Sequence, residues 1–128
     1  MTDERRYPEG VPCWVDTEQP DVNAARQFYS TLFGWTFSDA VPADAAGTYL
    51  IAPPGFADAI GWLAPLANGH DHWHVTFTVA SRDDSAETAE KLGAVVISSD
   101  DTAWTKTALI RDPQGAELTL SQFTPPNP

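Results

Sequence analysis

Cysteine, basic residues and long apolar runs are what this chain has least of, and each shortage excludes something. A single cysteine, Cys13, cannot close an internal disulfide and supports neither a zinc cluster nor a redox pair. It reads as a small hydrophobe. Seven lysines and arginines stand against eighteen aspartates and glutamates, for a formal charge of −11. Such a surface repels a phosphate backbone, so nucleic acid is not an expected partner. The field suits a cationic or neutral small molecule, although charge of this kind also serves solubility alone. No apolar run approaches the roughly 18 residues that a membrane-spanning helix needs. The polar opening MTDERRYPEG lacks the apolar stretch of a signal peptide. The expectation is a cytoplasmic protein with no membrane partner. Neither a Ser-His-Asp triad, a Cys-His pair nor a phosphate-binding glycine loop occurs at a recognisable spacing, so nucleophilic catalysis has no candidate.

What the chain does have is a repeated order. At 128 residues it is near the usual size of one domain. The charged residues 1–11 and the proline-rich residues 123–128 read as tails around a single domain over 12–122. In a first module, about 12–64, CWVDT is a short strand. Pro20-Asp21 then caps a 12-residue helix whose Val22, Ala25, Tyr29 and Leu32 form one stripe, stopped by Gly34. Strands follow at 35–37, 48–52 and 59–63, set apart by prolines and glycines. In a second module, about 72–121, HWHVTFTV alternates as a strand, and Asp84-Ser85-Ala86-Glu87 opens a helix that should bury Ala86, Ala89 and Leu92 before Gly93. Strands at 94–97, 104–111 and 116–121 complete it, with Asp112-Pro113-Gln114-Gly115 as the last hairpin turn.

The pattern predicts an α+β fold: two βαβββ modules forming a curved mixed sheet around a cleft, with the helices outside. Alternation sorts the strand residues between two faces. Cys13, Val15, Trp73, Val75, Phe77, Leu118 and Leu120 should lie under the helices. Trp14, Asp16, His72, His74, Thr76, Glu117 and Thr119 should line the hollow, where a ligand would sit.

The strand CWVDT, the segment PDVNAARQFYSTLFGW, the strand HWHVTFTV and the stretch LIRDPQGAELTL together resemble the vicinal-oxygen-chelate superfamily of glyoxalases, bleomycin-resistance proteins and extradiol dioxygenases. The likeness spans about residues 12–122. It implies paired βαβββ modules and, because relatives often pair or swap modules, a homodimer. Its enzymes hold a divalent metal with side chains from four strands, whereas its drug-binding members hold none. Aligned on the motifs, the four ligand positions fall on Trp14, near Gly61, on His74 and on Thr119. Indole offers only an N–H donor and glycine no side chain, so His74 alone remains a good ligand. The expected reading is therefore a protein without metal or other cofactor, binding an aromatic or cationic ligand. The same resemblance also allows a divalent-metal lyase, isomerase or dioxygenase built on His74, His72 and the carboxylates of Asp16 and Glu117.

The candidate ligand-binding set is Trp14, Asp16, Trp62, His72, His74, Thr76, Trp104, Glu117 and Thr119. An indole is a large rigid surface for stacking a ring or meeting a cation, and Trp14 stands where the family carries a metal ligand. Trp62 and Trp104 fall on strands that could line the same hollow, whereas Trp35 and Trp73 read as core. Buried carboxylates at Asp16 and Glu117 would want a cationic partner. His74 with either of them could act as a general base without metal. Tyr49 and Lys106 are polar contacts of unassigned facing. A structural or regulatory protein with an occluded hollow is the third reading.

Overall fold

A computed structural model describes residues 8–39, 48–56, 58–66 and 72–124. Residues 1–7, 40–47, 57, 67–71 and 125–128, which include the ends of both expected tails, lie outside the described residues. The element order is βαβββ twice, as the repeat had predicted: β1 (Pro12–Gln19), α1 (Val22–Phe33), β2 (Thr36–Asp39), β3 (Tyr49–Ala52), β4 (Gly61–Pro65), then β5 (His74–Thr78), α2 (Arg82–Lys91), β6 (Val95–Asp101), β7 (Thr105–Arg111) and β8 (Glu117–Phe123). The fold class is α+β.

Two compact units divide the chain, one over Trp14–His74 and one over Val75–Pro128 with Met1–Cys13. In the first unit the strand order is β2-β3-β4-β1. β1 runs parallel to β4, and β2-β3 and β3-β4 are antiparallel. The register puts Val15, Gly61 and Ile51 in one row and Thr17, Leu63 and Tyr49 in the next, all on one face. Thr17, Ile51, Gly61 and Leu63 are buried there. α1 covers this face, with Ala25 buried and the Arg26 guanidinium 4.2 Å from the centre of the Tyr49 ring.

Local chemistry fixes α1 as expected. The Asp21 carboxylate accepts from the Ala24 N–H at 3.0 Å, and Gly34 closes the helix at φ 73 with its N–H on the Ser30 carbonyl. The stripe is narrower than periodicity suggested, because Leu32 is exposed. Beside the helix, Tyr29, Phe33, Trp35, Phe37 and Trp73 form a chain of stacked and edge-on rings. Trp73 Nε1 donates to the Tyr29 hydroxyl at 3.1 Å, so Trp35 and Trp73, expected as core, are half-buried in this ring cluster.

In the second unit the order is β5-β8-β7-β6, with β5 parallel to β8 and the other neighbours antiparallel. Val79, Ala108, Ile110 and Leu120 form its core, with Ala89, Val96 and Leu118 packed against them. α2 covers that face. It begins three residues earlier than the sequence suggested: Ser81 is the cap, its hydroxyl accepting from Asp84 N–H at 3.1 Å. Arg82 explains the difference. Its guanidinium is buried and donates to the Thr107 carbonyl at 2.8 Å and to the carboxylates of Asp83 and Asp101, and its N–H donates to the Gln122 side chain. Leu92, expected inside, is 72% exposed, because α2 ends at Lys91 and the chain turns outward through Gly93. At the far end of the unit β8 runs on to Phe123. Gly10 N–H donates to the Thr78 carbonyl and Thr78 N–H to Val11, so the chain is already paired before β1.

Candidate functional site

In the first unit, three expected site residues share the face of the sheet opposite α1. Asp16 and Trp62 are register partners across β1 and β4, and Trp14 lies two residues before Asp16 on the same side. The Trp14 and Trp62 rings meet edge to face, with centroids 6.2 Å apart and planes at 83°. Trp14 and Asp16 are half-buried, and Trp62 is 43% exposed. Backbone proximity makes the pair. A Cβ at Gly61 would fall 1.8 Å from the Val15 carbonyl oxygen, so β1 and β4 approach more closely than any side chain at 61 allows. Each indole sits next in sequence to one side of that contact.

His72 does not join them on a strand. β5 starts at His74, and His72 is an exposed bend residue whose carbonyl accepts from the Thr17 hydroxyl at 3.1 Å. The expected two-histidine strand face is corrected accordingly. His74 opens β5 and is half-buried, on the side its alternation shares with Thr76. Tyr49 lies on the α1 side, under Arg26, and so is not on the tryptophan face.

In the second unit, Thr76, Thr119 and Glu117 lie on the face away from α2. Thr76 pairs with Thr119 across β5 and β8, and is buried. Glu117 does not wait for a cationic ligand, because its carboxylate accepts from Arg111 at 3.0 Å across the β7-β8 hairpin. The turn could have revealed this: the Asp112 carboxylate accepts from Gln114 and Ala116 N–H groups and Gly115 takes φ 101, which sets Arg111 opposite Glu117. Trp104, 52% exposed, precedes β7 and stacks on Phe123 at 6.1 Å, a partner the sequence reading missed. Lys106 and Asp101 are partners on the α2 side.

Among the described residues no three His, Cys, Asp or Glu side chains stand close enough to hold an ion. Gly61, near which the second aligned ligand position falls, is buried on the α1 side of its sheet, away from the tryptophan face, with the Val15 carbonyl where its Cβ would be. The clearest electrostatic perturbation lies elsewhere. The Arg82 guanidinium hydrogen-bonded to Asp83 holds that carboxyl below its ordinary value of 3.8, and Asp83 in turn raises Arg82. Arg82 ties α2 to the sheet through the Thr107 carbonyl and the Asp101 carboxylate.

The family model described as "Glyoxalase-like domain" matches residues 14–121. CFP32 of Mycobacterium tuberculosis, whose name assigns it provisionally to the glyoxylases, is 30% identical over 132 residues, covering 95% of this chain and 49% of its own. The anthracycline biosynthesis protein DnrV of Streptomyces peucetius is 29% identical over 131 residues, covering 90% of this chain and 48% of its own. The chain thus spans about half the length of the curated relatives it matches. The crystal structure of methylmalonyl-CoA epimerase from Mycobacterium tuberculosis superposes with a TM-score of 0.60 at 19% identity, covering 98% of this chain and 95% of that one, a likeness of fold. No helix among the described residues is long and apolar enough to cross a membrane.

Proposed function

Because this chain belongs to the glyoxalase-like domain family, within the vicinal-oxygen-chelate superfamily, we propose that it binds or sequesters an aromatic or cationic small molecule without a metal, gripping it on the Trp14–Trp62 pair. The observation that carries this reading is the edge-to-face pair itself, with Asp16 beside Trp62, at the position where the family's enzymes begin their ligand set. Two indoles at right angles form a corner. A flat ring stacks on one wall while its edge meets the other, and a cation gains from the ring faces and from the Asp16 carboxylate. The chain's charge of −11 draws a cationic ligand in the same direction. The relative named for anthracycline biosynthesis adds support for a fused-ring ligand.

The expected strength follows from area. Covering one indole buries about 150 Å² of apolar surface, or about 4 kcal/mol at 25 cal/mol per Å², before the costs of immobilising the ligand. Removing Trp14 should therefore weaken binding by about 2–3 kcal/mol, roughly 30- to 150-fold. Quenching of tryptophan fluorescence by a panel of cationic and neutral aromatics tests it, with Trp14→Ala as comparison. We expect at least one submillimolar ligand whose affinity drops in the variant. No ligand tighter than millimolar, or matching titrations in both proteins, refutes the reading. Stoichiometric metal in protein purified without chelator, lost on His74→Ala, would replace it with the enzymatic alternative.

A further inference from the structure

Trp62 stands on a boundary in the first unit. On the face opposite α1, its register partner on β1 is Asp16 and its partner on β3 is Leu50, which in turn pairs with Ser38 on β2. Adjacent strands lie about 4.8 Å apart, so the indole has a carboxylate on one flank and an apolar side chain on the other. Glu18 extends the acidic flank. It follows Asp16 by two residues on the same side of β1, about 6.6 Å further along, and like Asp16 it is half-buried. Its partner on β4 is Ala64, two residues after Trp62. The face therefore steps down beside Glu18, from an indole to a methyl group.

Each flank selects a different part of a ligand. A ring stacked on Trp62 gains apolar contact by leaning toward Leu50, and loses by leaning over the carboxylates, whose water it would strip without replacing. A positive charge is drawn the opposite way, to the two like charges of Asp16 and Glu18. Resting on the reading of the Trp14–Trp62 corner as a ligand site, we infer that its ligand is aromatic and cationic at once: the ring lies toward Leu50, and an ammonium group on a short arm lies over Ala64 toward Asp16 and Glu18. Glu18 and Leu50 are then specificity-determining residues, the first for the charge and the second for the ring. A neutral ring or a bare ammonium ion satisfies one flank alone. The chain's charge of −11 attracts cations to its surface at large, whereas this arrangement discriminates at one place.

Naphthylmethylamine and naphthylmethanol share ring and arm and differ in charge, while methylammonium carries the charge without the ring. Calorimetric titration of the full chain with these three probes tests the inference. The amine should bind about tenfold more tightly than the alcohol at low salt, with a margin that shrinks as salt rises, and methylammonium at least about tenfold more weakly than the amine. Asp16→Asn with Glu18→Gln should bring the amine to the level of the alcohol and change the alcohol by less than about twofold. Glu87→Gln with Glu90→Gln removes the same net charge from exposed positions on α2 and should keep the parent's margin. Leu50→Ala should weaken amine and alcohol by the same factor. An alcohol as tight as the amine in the parent, a margin that survives the loss of both β1 carboxylates, or a margin lost equally in the α2 variant overturns the inference and leaves the aromatic corner standing. Binding of neither naphthyl probe overturns the corner and the inference together. The comparison of probes on the parent holds whether or not a variant folds.

Discussion

Gly61→Ala puts the close approach of β1 and β4 under load. The added Cβ would sit 1.8 Å from the Val15 carbonyl oxygen and 2.9 Å from its carbonyl carbon. Close C···O contacts are ordinarily about 3.3 Å, so β1 and β4 would have to part by about 1.5 Å at this rung. No rotamer change relieves the clash, because the obstructing atoms are main chain. Parting the strands loosens the Val15 N–H to Ile60 carbonyl bond, now 3.0 Å, and strains the rungs on to Thr17 and Leu63, both buried. The weakened backbone bond costs about 1 kcal/mol, and forced overpacking costs about 1–3 kcal/mol. Against this, alanine loses less chain entropy on folding, worth about 0.5–1 kcal/mol. The net expectation is a loss of about 2 kcal/mol. In a urea titration followed by far-ultraviolet circular dichroism, with a slope of about 2 kcal/mol per molar, the midpoint should fall by about 1 M. A midpoint within about 0.3 M of the parent would refute the reasoning, since β1 and β4 would then have room that the geometry denies them.

Two further outcomes test the second unit. Leu120→Ala removes a side chain from the cluster of Val79, Ala108 and Ile110 and should cost about 3 kcal/mol with an unchanged urea slope; a loss below about 1 kcal/mol would mean that this core is not packed as described. Asp83, held below its ordinary value by Arg82, contributes stability that is present at neutral pH and is lost as pH falls through the lowered value, in the window below 3.8. Asp83→Asn should therefore lower the urea midpoint slightly at pH 7 and by progressively less as pH falls below 3.8, and an equal effect at both ends would refute the pairing.

How much of this was legible in the sequence depends on which interaction fixed each feature. The repeat, the caps at Asp21 and Gly34 and the Asp112–Gly115 turn are set by residues within a few positions of one another, and all were readable. The start of α2 was not. Ser81-Arg-Asp-Asp and Asp84-Ser-Ala-Glu are both adequate caps, and the choice is made by Arg82, whose partners Thr107 and Gln122 are 25 and 40 residues away. Periodicity likewise identified which residues share a side of a helix but not whether anything covers them, so Leu32 and Leu92 were assigned to an interior they do not reach. Glu117 was read as an uncompensated carboxylate because the hairpin register was not carried from the turn to Arg111. Phe123 was assigned to a tail, whereas β8 keeps its pairing to that residue and so presents it to Trp104.

The aromatic pair and the glycine are consequences of one geometry. Position 61 has no side chain because the Val15 carbonyl occupies its space, and that same closeness brings Trp62 on β4 within 6.2 Å of Trp14 on β1. A side chain at 61 would push the strands apart and so disturb the indoles that flank the contact. Gly61 and the aromatic corner thus lie on opposite faces of one pair of strands, Gly61 toward α1 and the indoles away from it. The Gly61→Ala protein carries this one step further. Whatever fraction of it stays folded should lose the near-ultraviolet dichroism of the coupled indoles together with ligand quenching, whereas Trp14→Ala should lose both while β1 and β4 keep their pairing. A folded Gly61→Ala protein that kept the indole signal would break the link between the strand contact and the site.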